Sequence, residues 1–446
     1  MRAVDAGADV PEATLIARAG AAVARTAIRM MGGTYGRTVR VIVGKGNNGA
    51  DGRVAAGFLA AKGVRVFVHE AADCPAALPP ADLVIDAAYG TGFHGTWNPP
   101  DVGATPVLAV DIPSGVDALT GEAHGEVLAA TRTVTFAALK PGLLLLPGSD
   151  LAGELEVADI GLGAAAGAHC HAHLVQAGDV AEWLAPRASD AHKWRAAVRI
   201  VAGSPTMPGA ARLAAHAAMR AGAGMVQLSA PGSLVPQAPA EIVQQPLPAK
   251  AWAAVVLEHL TRFQSLVIGP GLGRDDDTTA QIRRLAVEAP LPVVIDGDGL
   301  FAMAWNAQGA ATLLRNRTVP TVLTPHDGEY ALLVGVPPIA DRLVAARRLA
   351  ADTGSVVLLK GHATVIADPD GVALVVTTGD ARLATAGTGD VLSGIIGSLL
   401  AQGLSARHAA AAGAWLHGAA AMRAPAIGMV AGDLADHLPA VLEGLG

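Results

Sequence analysis

Apolar positions along this chain fall into short β-branched runs separated by longer amphipathic ones. The first long pattern, VPEATLIARAGAAVARTAIRMM, puts Pro11 at a first helical position and Leu15, Ala19, Val23, Ala27 and Met30 on one face, the spacing of a helix buried along one side. VRVIVG (39–44) follows, then a helical ADGRVAAGFLAAKG stopped by Gly63, then VRVFVHE, LVIDAAYG, VLAVDIPSG and TVTFAAL. Continuous apolar strands alternating with helices predict a parallel sheet covered on both faces. The first half therefore reads as a doubly wound, three-layer α/β/α unit.

Between 161 and 180, GLGAAAGAHCHAHLVQAGDV loses periodicity and gains Gly and Ala. This predicts a polar linker between a domain over 1–165 and another over 175–446. Its HCHAH run resembles a metal-ligand cluster, but no second cluster follows at useful spacing, so the linker reading is preferred. Beyond it, VRIVAGS, a helix through GAARLAAHAAMRAGAG, MVQLSAP, SLVIGPGLG, PVVIDGDGL, TVLTPHDGEY and SVVLLKGHATVIADP repeat the alternation. ADPDGVALVV predicts a hairpin turning at Asp370-Gly371. A second α/β/α domain is expected there.

Composition narrows the class. A length of 446 residues exceeds one ordinary core, in keeping with two domains. Mean hydropathy is +0.41, yet HAAAAGAWLHGAAAM (408–422) carries two histidines and falls short of the ~20 residues a membrane span needs, so it predicts a buried core helix. The N-terminal residues mix acids and bases without an apolar signal core, and the two cysteines, Cys74 and Cys170, lie far apart; a cytoplasmic protein is expected. With 32 basic against 39 acidic residues, a net charge of −7 and 3% aromatics, nucleic acid is excluded as a partner.

Two places carry candidate chemistry. GKGNNGADG (44–52) opens a helix after a strand but matches neither GxGxxG nor GxxxxGK[ST]. Three other strand ends bear polar residues: Asp86 before YGTGFHG, Asp111 and Ser114 in DIPSG, and Lys140 in LKPG. The carboxyl ends of strands in such a sheet meet at one crevice. Asn48, Asp86 and Ser114 would there offer hard oxygens suited to an alkali or alkaline-earth cation.

The second place is TAGTGDVLSGIIGSLLAQG (385–403). Gly387 and Gly389 let backbone approach a ligand closely, and the first turn of a helix presents bare N–H groups to an anion. Asp390 beside an anion is unfavourable unless it has chemistry to perform. His192 and Lys193 read equally as a solvated pair. His408 and His417, on an Ala-rich helix, read as packing or satisfied core residues. Asp296 and Asp298 in IDGDGL stand at a strand end near the same crevice, where Asp296 either orients substrate or caps a turn.

GNNGADG, DAAYGTG, DIPSG, LKPG and VADIGL, in that order, resemble the NAD(P)H-hydrate epimerase domain over roughly residues 1–163. The resemblance implies a Rossmann-like sheet and a potassium ion on Asn48, Asp86 and Ser114. It also implies that hydrated nicotinamide nucleotide contacts Asn47, Asn48, Gly49, Ala50 and Asp51, then Gly90, Thr91, Gly92, Phe93, His94, Gly95 and Thr96, and Asp111. Asp111 is the candidate acid/base, with Lys140 second. Ala50 stands where the family carries glycine, and a β-carbon there adds strain if the position needs positive φ.

HKWRAAVRIVAGSPTMPGAARLAAHAAMRAGAGMV, IGPGLGRD, IDGDGL, TPHDGEY, LKGHATVI and GTGD together resemble the ADP-dependent NAD(P)H-hydrate dehydratase of the ribokinase-like superfamily over roughly 175–446. That implies Ala210, Gly273, His326 and Asp390 against the hydrated nucleotide, and Lys360, Gly361, His362, Ala363, Thr364 and Gly389 against ADP. Asp390 would be the general base, and magnesium, assisted by Glu329, would neutralise phosphates. The implied protein is bifunctional: it equilibrates the R and S hydrates of NADH and NADPH and dehydrates the S form with release of AMP and phosphate. A homo-oligomer is expected. The competing readings are a small-alcohol kinase that releases its phospho-product and a non-catalytic N-terminal module.

Overall fold

The computed structural model describes residues 10–304 and 309–446, and contacts divide the chain into a unit ending at Cys170 and another running from His171 to Gly446. In the first unit, α1 (Glu12–Met31) precedes β1 (Thr38–Val43), α2 (Asn47–Ala61), β2 (Arg65–Glu70), β3 (Leu83–Ala87), β4 (Val107–Val110), β5 (Arg132–Phe136) and β6 (Glu154–Ala158). These strands form a wholly parallel sheet in the order β2-β1-β3-β4-β5-β6. Central strands are apolar because helices cover both faces: Val39, Val41, Ile42, Val43, Leu83 and Ile85 are all fully buried. Strand order reverses between β1 and β3, the position at which a crevice opens beyond the carboxyl ends.

Two features depart from the sequence expectation. The helix after β1 starts at Asn47 rather than Ala50, and Ala50 lies inside it with ordinary negative φ, so its β-carbon adds no strain. The glycine that the turn does require is Gly49, where a β-carbon would sit 1.9 Å from the carbonyl oxygen of Gly44. β6, ELEVA, was not expected as a strand. It is an edge strand whose Glu156 pairs with Arg29 from α1, and such charged edges mask the apolar signature.

The second unit holds a sheet in the order β10-β9-β8-β11-β12-β13-β14-β15-β16-β7. Its strands are β7 (Ala172–Leu174), β8 (Ala197–Val201), β9 (Met225–Ser229), β10 (Val243–Gln244), β11 (Ser265–Ile268), β12 (Val293–Ile295), β13 (Thr321–Leu323), β14 (Val356–Leu359), β15 (Thr364–Ala367) and β16 (Ala373–Val376). Only β14–β15 and β15–β16 pair antiparallel; the latter is the hairpin expected at Asp370-Gly371, with Gly371 at φ 90°. The linker expectation is corrected here. Residues 163–169 form a helix, and β7, reaching across the HCHAH run, adds to β16 at the sheet edge. A three-residue strand paired on one side leaves no periodicity to read. Among the described residues, no three His, Cys, Asp or Glu side chains gather as a metal site, that run included.

Four helices shape the ligand side of this sheet: α3 (Pro208–Arg220), α4 (Asp327–Val334), α5 (Thr388–Ala401) and α6 (Ala406–Arg423). α5 is buried along nearly its whole length and packs on α3, α6 and the sheet. Among the described residues no helix is long and apolar enough to cross a membrane.

Candidate active sites

In the first unit, the loops beyond β1, β3, β4 and β5 surround a cavity of about 890 Å³. Asn47, Asn48 and Asp51 line it together because Asp51 follows the two asparagines at i+4 and i+3, the spacings that bring side chains together on a helix. Gly90, Thr91, Gly92, Phe93, His94, Asp111 and Lys140 line it as well, so ten of the residues singled out in the sequence converge here. Gly49 and Ala50 do not line it: Gly49 is buried against the backbone of Gly44, and Ala50 is half-buried in the helix. Gly95 and Thr96 lie outside it on the exposed end of their loop. Sequence reasoning missed the opposite wall, made by Val10, Glu12, Leu15, Ile16 and Ala19, although the apolar face of α1 held the signal.

Asp86 lies beneath this cavity, fully buried at the end of β3. The Ser114 hydroxyl donates to it at 2.7 Å, the Ser114 amide at 2.9 Å and the Ala88 amide at 3.2 Å. Burial raises its pKa against the pull of those bonds, and no cationic side chain among the described residues pairs with it. Close by, Asn48 packs on Gly90, its side-chain amide nitrogen buried without a partner. An unneutralised buried carboxylate beside the Ser114 hydroxyl oxygen fits a weakly hydrated monovalent cation, whereas the orphaned Asn48 nitrogen is a donor that calls for an acceptor.

Asp111 is held differently. It has φ 65°, uncommon for any residue but glycine, with its amide donating to Val134 O at 2.7 Å. Its carboxylate is ion-paired with Lys140 and accepts from the Thr135 hydroxyl at 3.1 Å. Lys140 is buried and donates also to Thr135 Oγ1 and Phe136 O. Across the cavity, burial and the Asp111 charge push the Asp51 carboxyl up to about 8.

In the second unit the start of α5 is built for an anion. Gly387 takes φ 90°, a conformation that favours glycine, and the backbone then turns so that Thr388 donates to Thr385 O at 3.3 Å while the Gly389 and Asp390 amides have no backbone partner among the described residues. Gly389 lies close to the Lys360 ammonium and the Asp296 carboxylate, at 3.5 and 3.7 Å from where its β-carbon would stand. Lys360 bonds Asp296 and Glu329, each at 3.3 Å. Burial works against its charge, but these two carboxylates outweigh that and raise its pKa. Asp296 is further fixed by the Thr324 hydroxyl at 2.7 Å, so it braces side chains rather than capping a turn. Asp390 sits one turn into this cluster. Burial first, then the charges of Asp296, Asp298 and Glu329, push it up to about 7, with Lys360 acting in the opposite sense.

The remaining candidates flank this cluster. Asp298 accepts from the Gly273 amide at 2.9 Å and Arg274 Nε at 2.7 Å, and Gly271 packs on Ala210, so Ala210 and Gly273 border one loop. His326 caps α4: its Nδ1 accepts from the Glu329 amide while the Glu329 carboxylate accepts from the His326 amide. Its ring is otherwise exposed. Gly361 and His362 are exposed, Ala363 is buried and Thr364 begins β15. His192 and Lys193 are exposed. His408 stacks on Trp183 at 4.4 Å and His417 is buried in the core, the packing role expected of both; the His417 Nε2 has no partner among the described residues, and burial pushes its pKa down to about 4.

With this geometry established, similarity to known proteins is informative. The family described as NAD(P)H-hydrate dehydratase matches residues 198–443, and that described as YjeF-related protein N-terminus matches 12–73 and 69–142. The bifunctional NAD(P)H-hydrate repair enzyme of Moorella thermoacetica is 38% identical, covering 98% of this chain and 93% of its own. Those of Mycobacterium leprae and Escherichia coli are 39% and 36% identical over 93% and 90% of this chain, and 90% and 84% of theirs. Among solved structures, the ADP/ATP-dependent NAD(P)H-hydrate dehydratase of Bacillus subtilis, co-crystallised with ATP and Mg2+, is 30% identical with a TM-score of 0.54, covering 61% of this chain and 99% of its own. A ribokinase-like superfamily protein of Enterococcus faecalis, 22% identical with a TM-score of 0.53 over 62% of this chain and 97% of its own, shares the fold.

Proposed function

The chain belongs to the bifunctional NAD(P)H-hydrate repair enzymes, and on that premise we propose how its two sites divide the work. The second unit is a ribokinase-like dehydratase that uses an adenine nucleotide, and the first is the epimerase unit. Hydroxide is a poor leaving group. The dehydratase therefore moves a phosphoryl group from ADP, leaving AMP, onto the ring hydroxyl of the S hydrate; phosphate then departs with the carbon–oxygen bonding pair and the neighbouring ring carbon loses a proton as the double bond returns.

Asp390 takes the proton of that hydroxyl, and a carboxyl pushed up to about 7 is well matched to the task. The unpaired amides at the start of α5, Gly389 first, stabilise charge on the phosphoryl in flight. Lys360, Gly361, His362, Ala363 and Thr364 hold the adenine nucleotide; Ala210, Gly273 and His326 position the hydrate. A magnesium ion supplies charge neutralisation on the phosphates. Glu329, beside Lys360 in this cluster, is the residue that would help hold it. The observation that carries this reading is the raised carboxyl of Asp390 set against a glycine-bounded helix start beside Lys360.

In the first site Asp111 serves as acid/base on the hydrated ring. Potassium on Asn48, Asp86 and Ser114 supplies the positive charge that Asp86 lacks, close to Asn47, Asp51 and the 90–96 loop that hold the substrate. Spontaneous hydration yields both epimers, so a dehydratase consuming one alone would leave half the damage. A run of exposed apolar side chains, Leu332, Val334, Val336 and Ile339, supports assembly as a homo-oligomer, which sedimentation would test. The decisive experiment incubates purified protein with the separated epimers, with and without ADP. The S form should regain reduced-nicotinamide absorbance only with ADP, and the R form should follow through prior conversion to S. A stable phosphorylated product with no regained absorbance would instead identify a kinase.

A further inference from the structure

Holding substrate does not by itself account for the setting of Asp51 in the first cavity. It is 7% exposed, accepts no hydrogen bond and pairs with no cation among the described residues. On α2 it shares the cavity-facing side with Asn47 and Asn48, and apolar side chains of Leu15, Ile16, Ala19, Phe136 and Ile160 line the same space. A second carboxylate, Asp111, reaches that space from the end of β4 and is ion-paired with Lys140. One carboxyl is thus buried without a partner and the other is ion-paired with a buried ammonium, an arrangement that separates an acid from a base.

Resting on the epimerase reading of this site, we propose that Asp51 is a second catalytic residue, the general acid that works with Asp111 as general base. Hydration of an enamine places the hydroxyl on the carbon bonded to the ring nitrogen. Asp51 gives its proton to that hydroxyl; the carbon–oxygen bond breaks, the oxygen leaves as water with the bonding pair, and the nitrogen lone pair forms a carbon–nitrogen double bond. A water molecule adds to the opposite face, its oxygen forming the new bond while the double-bond pair returns to nitrogen, and its proton passes to Asp111. One water leaves and one enters. The reverse conversion starts with the proton on Asp111, so two carboxyls sharing one proton serve both directions.

The other titratable groups near Asp51 are engaged or distant in role. Glu12 of α1 accepts from Asn47 at 2.8 Å, Arg18 of α1 donates to Ile160 O, and Glu70 of β2 is paired with Arg53 of α2. Arg40 of β1 donates to Pro79 O and faces His69 of β2; Asp86 of β3 accepts from Ser114 and Ala88; His94 lines the cavity.

The test measures epimer exchange by chromatography for wild type, Asp51→Asn and Asp51→Glu from pH 6 to 9, with thermal unfolding as the fold check. Wild-type kcat should fall as pH rises through about 8. Asp51→Asn should lose at least ~100-fold in kcat with KM little moved, the usual scale of a missing general acid. Asp51→Glu should recover part of the rate together with an alkaline limb. If Asp51→Asn stays folded and keeps the wild-type kcat and pH profile, or loses only KM, Asp51 is a binding residue and the proposal is wrong while the epimerase reading stands. If wild type itself exchanges no epimers, the epimerase reading falls and Asp51 with it.

Discussion

Replacing Asp390 by asparagine should abolish dehydration and yet make the second unit more stable. The structure holds this carboxyl among Asp296, Asp298 and Glu329 with only Lys360 in opposition, and raises it from 3.8 to about 7. The folded state then binds a proton more tightly than the unfolded chain does. Below about pH 4 both states are protonated and nothing is lost. As pH rises past the unfolded value the folded state is progressively penalised, and the penalty levels off above about pH 7. At about 1.4 kcal/mol per pH unit the full penalty is about 4 kcal/mol, and partial solvent access reduces it to roughly 2–4 kcal/mol. Asparagine keeps the shape without the charge. Urea denaturation followed by tryptophan fluorescence reads this unit, because of the tryptophans only Trp97 lies in the first one. The variant should exceed wild type by roughly 2–4 kcal/mol at pH 8 and by less than half of that at pH 5. Equal or lower stability at pH 8, or a difference that ignores pH, would refute the picture of a desolvated, repelled carboxylate.

Three other outcomes follow from the same geometry. Dehydration should show an acid limb, with kcat/KM falling tenfold per unit as pH drops below about 7, because Asp390 must be ionised to accept the hydroxyl proton; a pH–rate series at saturating ADP measures it. Gly49→Ala should destabilise the first unit by about 1–3 kcal/mol through overlap with Gly44 O, while Ala50→Gly, reverting to the family residue, should lower stability by about 0.5–1 kcal/mol because the position is helical; both are read by denaturation. Epimer exchange should rise when potassium replaces lithium in the buffer, and Asp86→Asn should remove that dependence.

Much of the architecture could be read from periodicity, because buried parallel strands are continuous apolar runs and α1, α3 and α6 show one-sided or small-residue faces. What escaped had physical reasons. β6 is a charged edge strand, and β7 is three residues long and ordered by its pairing with β16. For the sites, strand ends and ordered motifs located Asn48, Asp86, Asp111, Lys140 and Asp390. Spacing could not reveal that Ala50 is helical, that Asp111 sits at positive φ, or that Asp51 is a lone buried carboxyl, since each depends on how distant elements close around it. His417 shows the same limit: an Ala-rich helix looked like plain packing, yet its ring nitrogen is left unpaired beside the start of α5.

The central claim is that the ring hydroxyl of the hydrate leaves as phosphate, after Asp390 has made it a nucleophile toward a phosphoryl group held at Gly387 to Gly389. Labelling that hydroxyl with heavy oxygen tests it directly, with mass spectrometry on the products of ADP-dependent dehydration. The label should appear in the released phosphate. Label found in water, with the phosphate unlabelled, would contradict phosphorylation of the hydroxyl and remove the role assigned to the start of α5.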